Sequence, residues 1–226
     1  VDKLLVKMAI PMVISMLVQS IYNIVDSMFV SRVSEDALTA VSLAFPVQNI
    51  LIAFAVGIGV GSSALLSRFL GENNRDRVGS VAIHGVVIAT ITYVIFAIIG
   101  LLFTNSFANA QGQNAQVTAY TKEYLYIVTI FSAGLFFQVL GEKLLQATSL
   151  TNYTMITQMS GAIINLILDP ILIFGLFGFP RLEVKGAAIA TVVGQLGGAL
   201  IGFYFNKRKN TDIKFTSKRF NFHSVI

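Results

Sequence analysis

Residues 79–103 read Gly79-Ser-Val-Ala-Ile-His84-Gly-Val-Val-Ile-Ala-Thr-Ile-Thr-Tyr-Val-Ile-Phe-Ala-Ile-Ile-Gly100-Leu-Leu-Phe103, with no Asp, Glu, Lys or Arg. A helix of that length covers the roughly 30 Å hydrocarbon core of a bilayer, and its continuous apolar run far exceeds the ~10 residues of a barrel strand. Five further stretches have this character, giving six expected spans: 5–31, 38–67, 79–103, 122–147, 154–176 and 184–206. Turn formers and charges collect between them, at Ser34-Glu35-Asp36, Gly71–Arg75, Asn109–Asn114 and Gly178–Arg181. Composition agrees: 55% of the 226 residues are hydrophobic and 12% charged, with a mean hydropathy of +0.75. A water-soluble globule carries about twice that share of charge.

The basic residues set an expected orientation. With the N-terminus inside, Lys3, Lys7, Arg68, Arg75, Arg77, Lys143, Lys207, Arg208, Lys209, Lys214, Lys218 and Arg219 face the cytoplasm, and only Arg32, Lys122, Arg181 and Lys185 face out. Twelve against four is a positive-inside bias, so both ends are expected to be cytoplasmic. The formal charge of +5 then belongs to the membrane's inner rim, where anionic headgroups suffice as partner, and nucleic acid is not expected. The first apolar stretch is too long for a secretory signal and lacks a cleavage site. Starting at Val1 and stopping at Ile226 after a basic tail, the chain is expected to be a piece of a longer one: a transmembrane lobe over 1–206 and a basic cytoplasmic linker over 207–226.

There is no Cys, and His84 and His223 are too far apart for a zinc site. The run Gly57-Ile-Gly59-Val-Gly61-Ser62 lacks the third glycine of a dinucleotide fingerprint and the lysine of a phosphate loop. Lying within a span, it reads as a small-residue packing face or a flexible point. Gly194, Gly198 and Gly202 repeat every four residues, a close-packing stripe for the sixth helix. Neither a nucleophile–base set nor an ATP site is present, so the chain is not expected to be an enzyme, and no cofactor is expected.

Ionisable residues inside a span cost about 2.5–3.5 kcal/mol on the insertion scale and are functional hypotheses by default. Asp26 and Asp169 are such residues. Gln19, Tyr22, Asn23 and Asp26 follow i, i+3, i+4, i+7 on one helix face, Asn165 and Asp169 are i, i+4, and Thr191 offers a hydroxyl from the sixth span. Pro170 should kink its helix and free a carbonyl beside the carboxylate. Counted at 1.5 Å per residue, Asp26, Asp169 and Thr191 share a level roughly 8–11 Å below the outer boundary. No Lys or Arg in these three spans is near that level, and an unpaired carboxylate there takes up a proton or binds a hard cation such as sodium through oxygen donors. Glu142 and Lys143, near the inner end of the fourth span, are expected to snorkel to the rim, and His84 is expected at the same rim.

These residues resemble the N-terminal lobe of the multidrug and toxic compound extrusion (MATE) transporters. The run Gln19-Ser-Ile-Tyr22-Asn-Ile-Val-Asp26-Ser-Met-Phe-Val30 is similar to the family's opening helix, and Gly57–Gly71, ending Ser67-Arg68-Phe-Leu-Gly71, to its second helix and following loop. Asn165-Leu-Ile-Leu-Asp169-Pro170-Ile-Leu-Ile-Phe-Gly175 is the most specific match, followed by Gly186-Ala-Ala-Ile-Ala-Thr191. The resemblance implies an all-α membrane fold, one six-helix lobe of a twelve-helix transporter whose second lobe lies outside this chain. It implies a cation site at Asp26, Asn165, Asp169 and Thr191, a metal site only if sodium is the coupling ion, and a substrate cavity lined by Gln19, Tyr22 and Asn23. The implied activity is antiport of amphipathic, often cationic, drugs against protons or sodium across the cell membrane. The alternatives are a flippase for lipid-linked sugars and a non-transporting scaffold or channel subunit. Ser149 stands where the family usually has a turn glycine.

Overall fold

The structure, a computed structural model, describes residues 2–111 and 114–213. It is built from seven α-helices, and no strand occurs among the described residues: α1 (Asp2–Ser31), α2 (Glu35–Gly71), α3 (Arg75–Ala110), α4 (Ala115–Ile130), α5 (Ala133–Ala147), α6 (Thr151–Phe174) and α7 (Glu183–Arg208). Five are long and apolar enough to cross a membrane alone, and α4 with α5, bent by 48° at the break between them, make a sixth when the pair is taken as one span. Basic residues 214, 218 and 219, and His223, lie outside the described residues.

The helices overrun the expected spans because polar side chains cap them beyond the apolar runs. Ser34 accepts from the Ala37 amide at 3.0 Å, Asn74 from Arg77 at 3.2 Å and Asn114 from Val117 at 2.7 Å. Each satisfies an amide that the first helical turn leaves without a partner. Glu35 and Asp36, expected in a loop, therefore form the first turn of α2, where the positive end of the helix dipole suits them. At 1.5 Å per residue α2 and α3 exceed 50 Å, well beyond the hydrocarbon layer.

Two apolar cores divide the bundle along its length. At the end that holds the N-terminus, Leu51, Leu66, Phe69, Val78, Val81, Phe136, Leu140 and Leu144 join α2, α3 and α5. At the opposite end, Val30, Val41, Tyr124, Leu125, Val128, Ile173 and Val184 join α1, α2, α4, α6 and α7. The chain returns to its starting end: Asn210 donates to Thr148 Oγ1 at 2.9 Å, Arg75 pairs with Asp212 at 3.9 Å, and Ile213 is buried in the first core.

Close backbone approach holds α6 to α7. A Cβ on Gly186 would lie 2.6 Å from the Leu172 carbonyl, and one on Gly194 would lie 2.8 Å from the Gly161 oxygen. Gly198 and Gly202 face Gln138 and Thr157, so the four-residue repeat is a packing stripe. The Gly57–Ser62 run is different. Of its three glycines, Gly59 faces the stem of Lys143 and Val139, while Gly57 and Gly61 have nothing within 4 Å among the described residues.

Ser149, between α5 and α6, has φ +61°, a left-handed conformation that a side chain disfavours. Ser149→Gly is expected to stabilise the fold by about 0.5–1 kcal/mol, since relief of the steric cost exceeds glycine's larger entropy loss. A thermal melt in detergent checks this; a lower midpoint in the variant would contradict it.

Candidate functional site

The site grows from α1, α6 and α7, the last two held close by their glycine contacts. α6 runs on through Pro170 to Phe174, so the proline does not end it, and Asn165 and Asp169 stay on one face. Both are buried, at 3% and 0% exposure, in a protein where lone charges are rarely enclosed. Asp26, from α1, meets Asp169 side chain to side chain. Asn165 has its amide oriented by its neighbours: it donates to Asp169 Oδ2 at 3.1 Å and accepts from the Thr191 amide at 3.1 Å. That second bond depends on Gly194, one turn along α7, whose missing Cβ would otherwise press on Asn165 at 3.0 Å. The four residues singled out from the sequence thus form one cluster.

Two carboxylates in contact repel unless a positive charge lies between them. Among the described residues no Lys or Arg nitrogen comes within 4 Å of either. Asp26 Oδ1 is moreover buried without a hydrogen-bond partner, an acceptor that a proton or a hard cation would satisfy. The carboxylate oxygens are the donors left free here, since the Asn165 amide oxygen is taken up by the Thr191 amide, and no group of three His, Cys, Asp or Glu occurs among the described residues. Carboxylate oxygens suit a proton or a hard cation.

Beside this cluster opens a cavity of about 420 Å³. Gln19, Tyr22 and Asn23 line it, and Asn165 and Thr191 form the wall it shares with the carboxylates. Gln19 donates to the Tyr22 hydroxyl at 3.3 Å, and Tyr22 lies within electrostatic reach of both Asp26 and Asp169.

Several residues here were not anticipated. Tyr124, from α4, is 2% exposed; its hydroxyl accepts from Gln48 at 3.1 Å and faces the Thr191 side chain and Asp26. Gln48, Asn49, Gln138, Gln158 and Gln195 line the cavity. Their signal was available, since each is an amide inside an apolar span. Glu142 corrects the rim expectation: it is 6% exposed, lines the cavity and accepts from Gln138 at 3.0 Å. Lys143 lines the same cavity and donates to Gln146 at 3.0 Å. Helical side chains point toward the helix N-terminus, and Glu142 accordingly reaches Gln138 one turn back along α5.

The MatE family model matches residues 11–171. The chain is 32% identical to an FAD transporter of Shewanella oneidensis over 87% of its own length and 43% of the relative's. It is also 32% identical to a probable multidrug resistance protein of Bacillus subtilis, over 89% of this chain and 44% of that one. A crystal structure of a MATE protein in the straight conformation superposes with a TM-score of 0.88 at 32% identity, covering 97% of this chain and 48% of that one. The chain spans about half the length of the curated relatives it matches.

Proposed function

Because this chain belongs to the MatE family of multidrug and toxic compound extrusion transporters, we propose that it forms the N-terminal lobe of an exporter that exchanges amphipathic small molecules for protons or sodium. The observation that carries this reading is the Asp26–Asp169 contact with no basic partner and with Asp26 Oδ1 unsatisfied. A cation entering there binds α1 to α6, and its departure leaves two carboxylates that repel. Asn165 and Thr191 belong to both the cluster and the cavity wall, so occupancy on one side bears on the shape of the other. Alternating access would need a second lobe, with the basic ends of the chain at the cytoplasmic face.

The flippase reading finds less support. It wants a basic cavity for a pyrophosphate, and the cavity's basic residue, Lys143, has Glu142 beside it. A scaffold leaves the unsatisfied carboxylate without a purpose.

The test uses the full-length protein in proteoliposomes, with a proton and a sodium gradient imposed separately and efflux of a cationic dye followed. Efflux driven by one gradient is expected and names the ion. No efflux under either gradient would overturn the exporter reading.

A further inference from the structure

Glu142 and Lys143 are the charged residues of the cavity wall that the coupling cluster does not use. They lie at another depth. Thr154 of α6 donates to the Glu142 carbonyl at 3.4 Å, which sets Glu142 level with Thr154, and Asp169 is fifteen residues further along α6, about 22 Å at 1.5 Å per residue.

The two charges are held apart. Gln138 donates to the Glu142 carboxylate and Lys143 donates to Gln146, each at 3.0 Å, and no Glu142–Lys143 ion pair within 4 Å occurs among the described residues. Neighbouring residues on a helix point about 100° apart, so the pair offers two separate poles rather than a closed salt bridge. Gly59 makes room for this arrangement: a Cβ there would come 2.7 Å from Lys143 Cγ. Glu142 is buried and Lys143 half-buried, and an enclosed charge is ordinarily paired, because leaving it without an ionic partner costs more than its hydrogen bonds return. A solute bearing one positive and one negative group would pair both.

We infer that Glu142 and Lys143 form a second charged site, distinct from the coupling cluster, that receives the ammonium or iminium group and the carboxylate of a zwitterionic amphipathic solute. This rests on the exporter reading for its purpose, but not for its test. Rhodamine B, a zwitterion, and its ethyl ester, a plain cation, share one chromophore and differ at the carboxylate. Binding of each to the purified full-length protein is measured by equilibrium dialysis, without any ion gradient.

Lys143→Gln is expected to weaken rhodamine B about tenfold while leaving the ester within about twofold, and Glu142→Gln to weaken both about tenfold. Glu142→Asp, which keeps the charge and shortens its reach, is expected to fall between and serves if Glu142→Gln does not fold. The proposal is overturned if wild type does not bind the zwitterion, if Lys143→Gln affects both dyes alike, or if neither variant changes binding. Failure of gradient-driven efflux with these binding differences intact would instead count against the exporter reading alone.

Discussion

Asp169→Asn is expected to lower gradient-driven efflux at least about tenfold while leaving the protein folded and able to bind dye, because coupling requires an ion that binds one state of the carrier better than the other. The replacement is nearly isosteric, and Asn165 can still donate to the remaining oxygen. What is removed is the second negative charge, and with it the repulsion that an entering cation relieves. Asp26→Asn is expected to give the same loss through the other partner. Its fold should suffer less, since Asp26 is only partly buried and its Oδ1 has no partner to lose. The measurement is efflux from proteoliposomes under whichever gradient drives wild type, with dye binding as the control. Wild-type efflux in both variants would move coupling out of this lobe.

The second large effect involves no ligand at all. Gly194→Ala is expected to cost about 1–3 kcal/mol of stability by overpacking, because the new methyl would meet the Gly161 oxygen at 2.8 Å and Asn165 Cβ at 3.0 Å. Backbone atoms cannot rotate away, so α6 and α7 must separate. The 3.1 Å bond from the Thr191 amide to Asn165 then lengthens, and Asn165 loses the orientation that aims it at Asp169. A ligand that binds only the folded state raises the melting midpoint. Wild type should therefore melt higher in the presence of the coupling ion, and Gly194→Ala should lose most of that increment as well as melting lower. A variant with a lower midpoint but a full ion-dependent shift would separate packing from the site.

Much of this architecture was legible in the residues. Spans follow from apolar length alone, because the bilayer admits few alternatives. Helical spacing and common depth brought Asp26, Asn165, Asp169 and Thr191 together, since helices that cross a slab of fixed thickness keep their residues in register with it. The break between α4 and α5 was not legible. Phe131 leaves the helical region, with φ/ψ of −100°/21°, while Ser132 stays near it at −65°/−4°, and neither is a Pro or Gly. The bend is instead sustained by contacts from a distant segment, as Gly134 lies against the backbone of Gln195 and Leu196. Glu142 escaped for a related reason. Counting residues from the end of a span gives the depth of a Cα, but not the direction in which a tilted helix aims its side chain.

The 48° break gives the α4–α5 pair a division of labour. α4 carries Tyr124 to the ion cluster, and α5 carries Glu142 and Lys143 to the far part of the cavity. Immediately below the break Gly134 is clamped to α7, with no room even for a methyl group. A tilt of α4 would therefore turn about a fixed fulcrum, with the carboxylate cluster at the end of one arm and the charged pair on the other. A lobe built this way would work less as a rigid wall around a hole than as a crank, delivering a small displacement at one end as a rotation at the other.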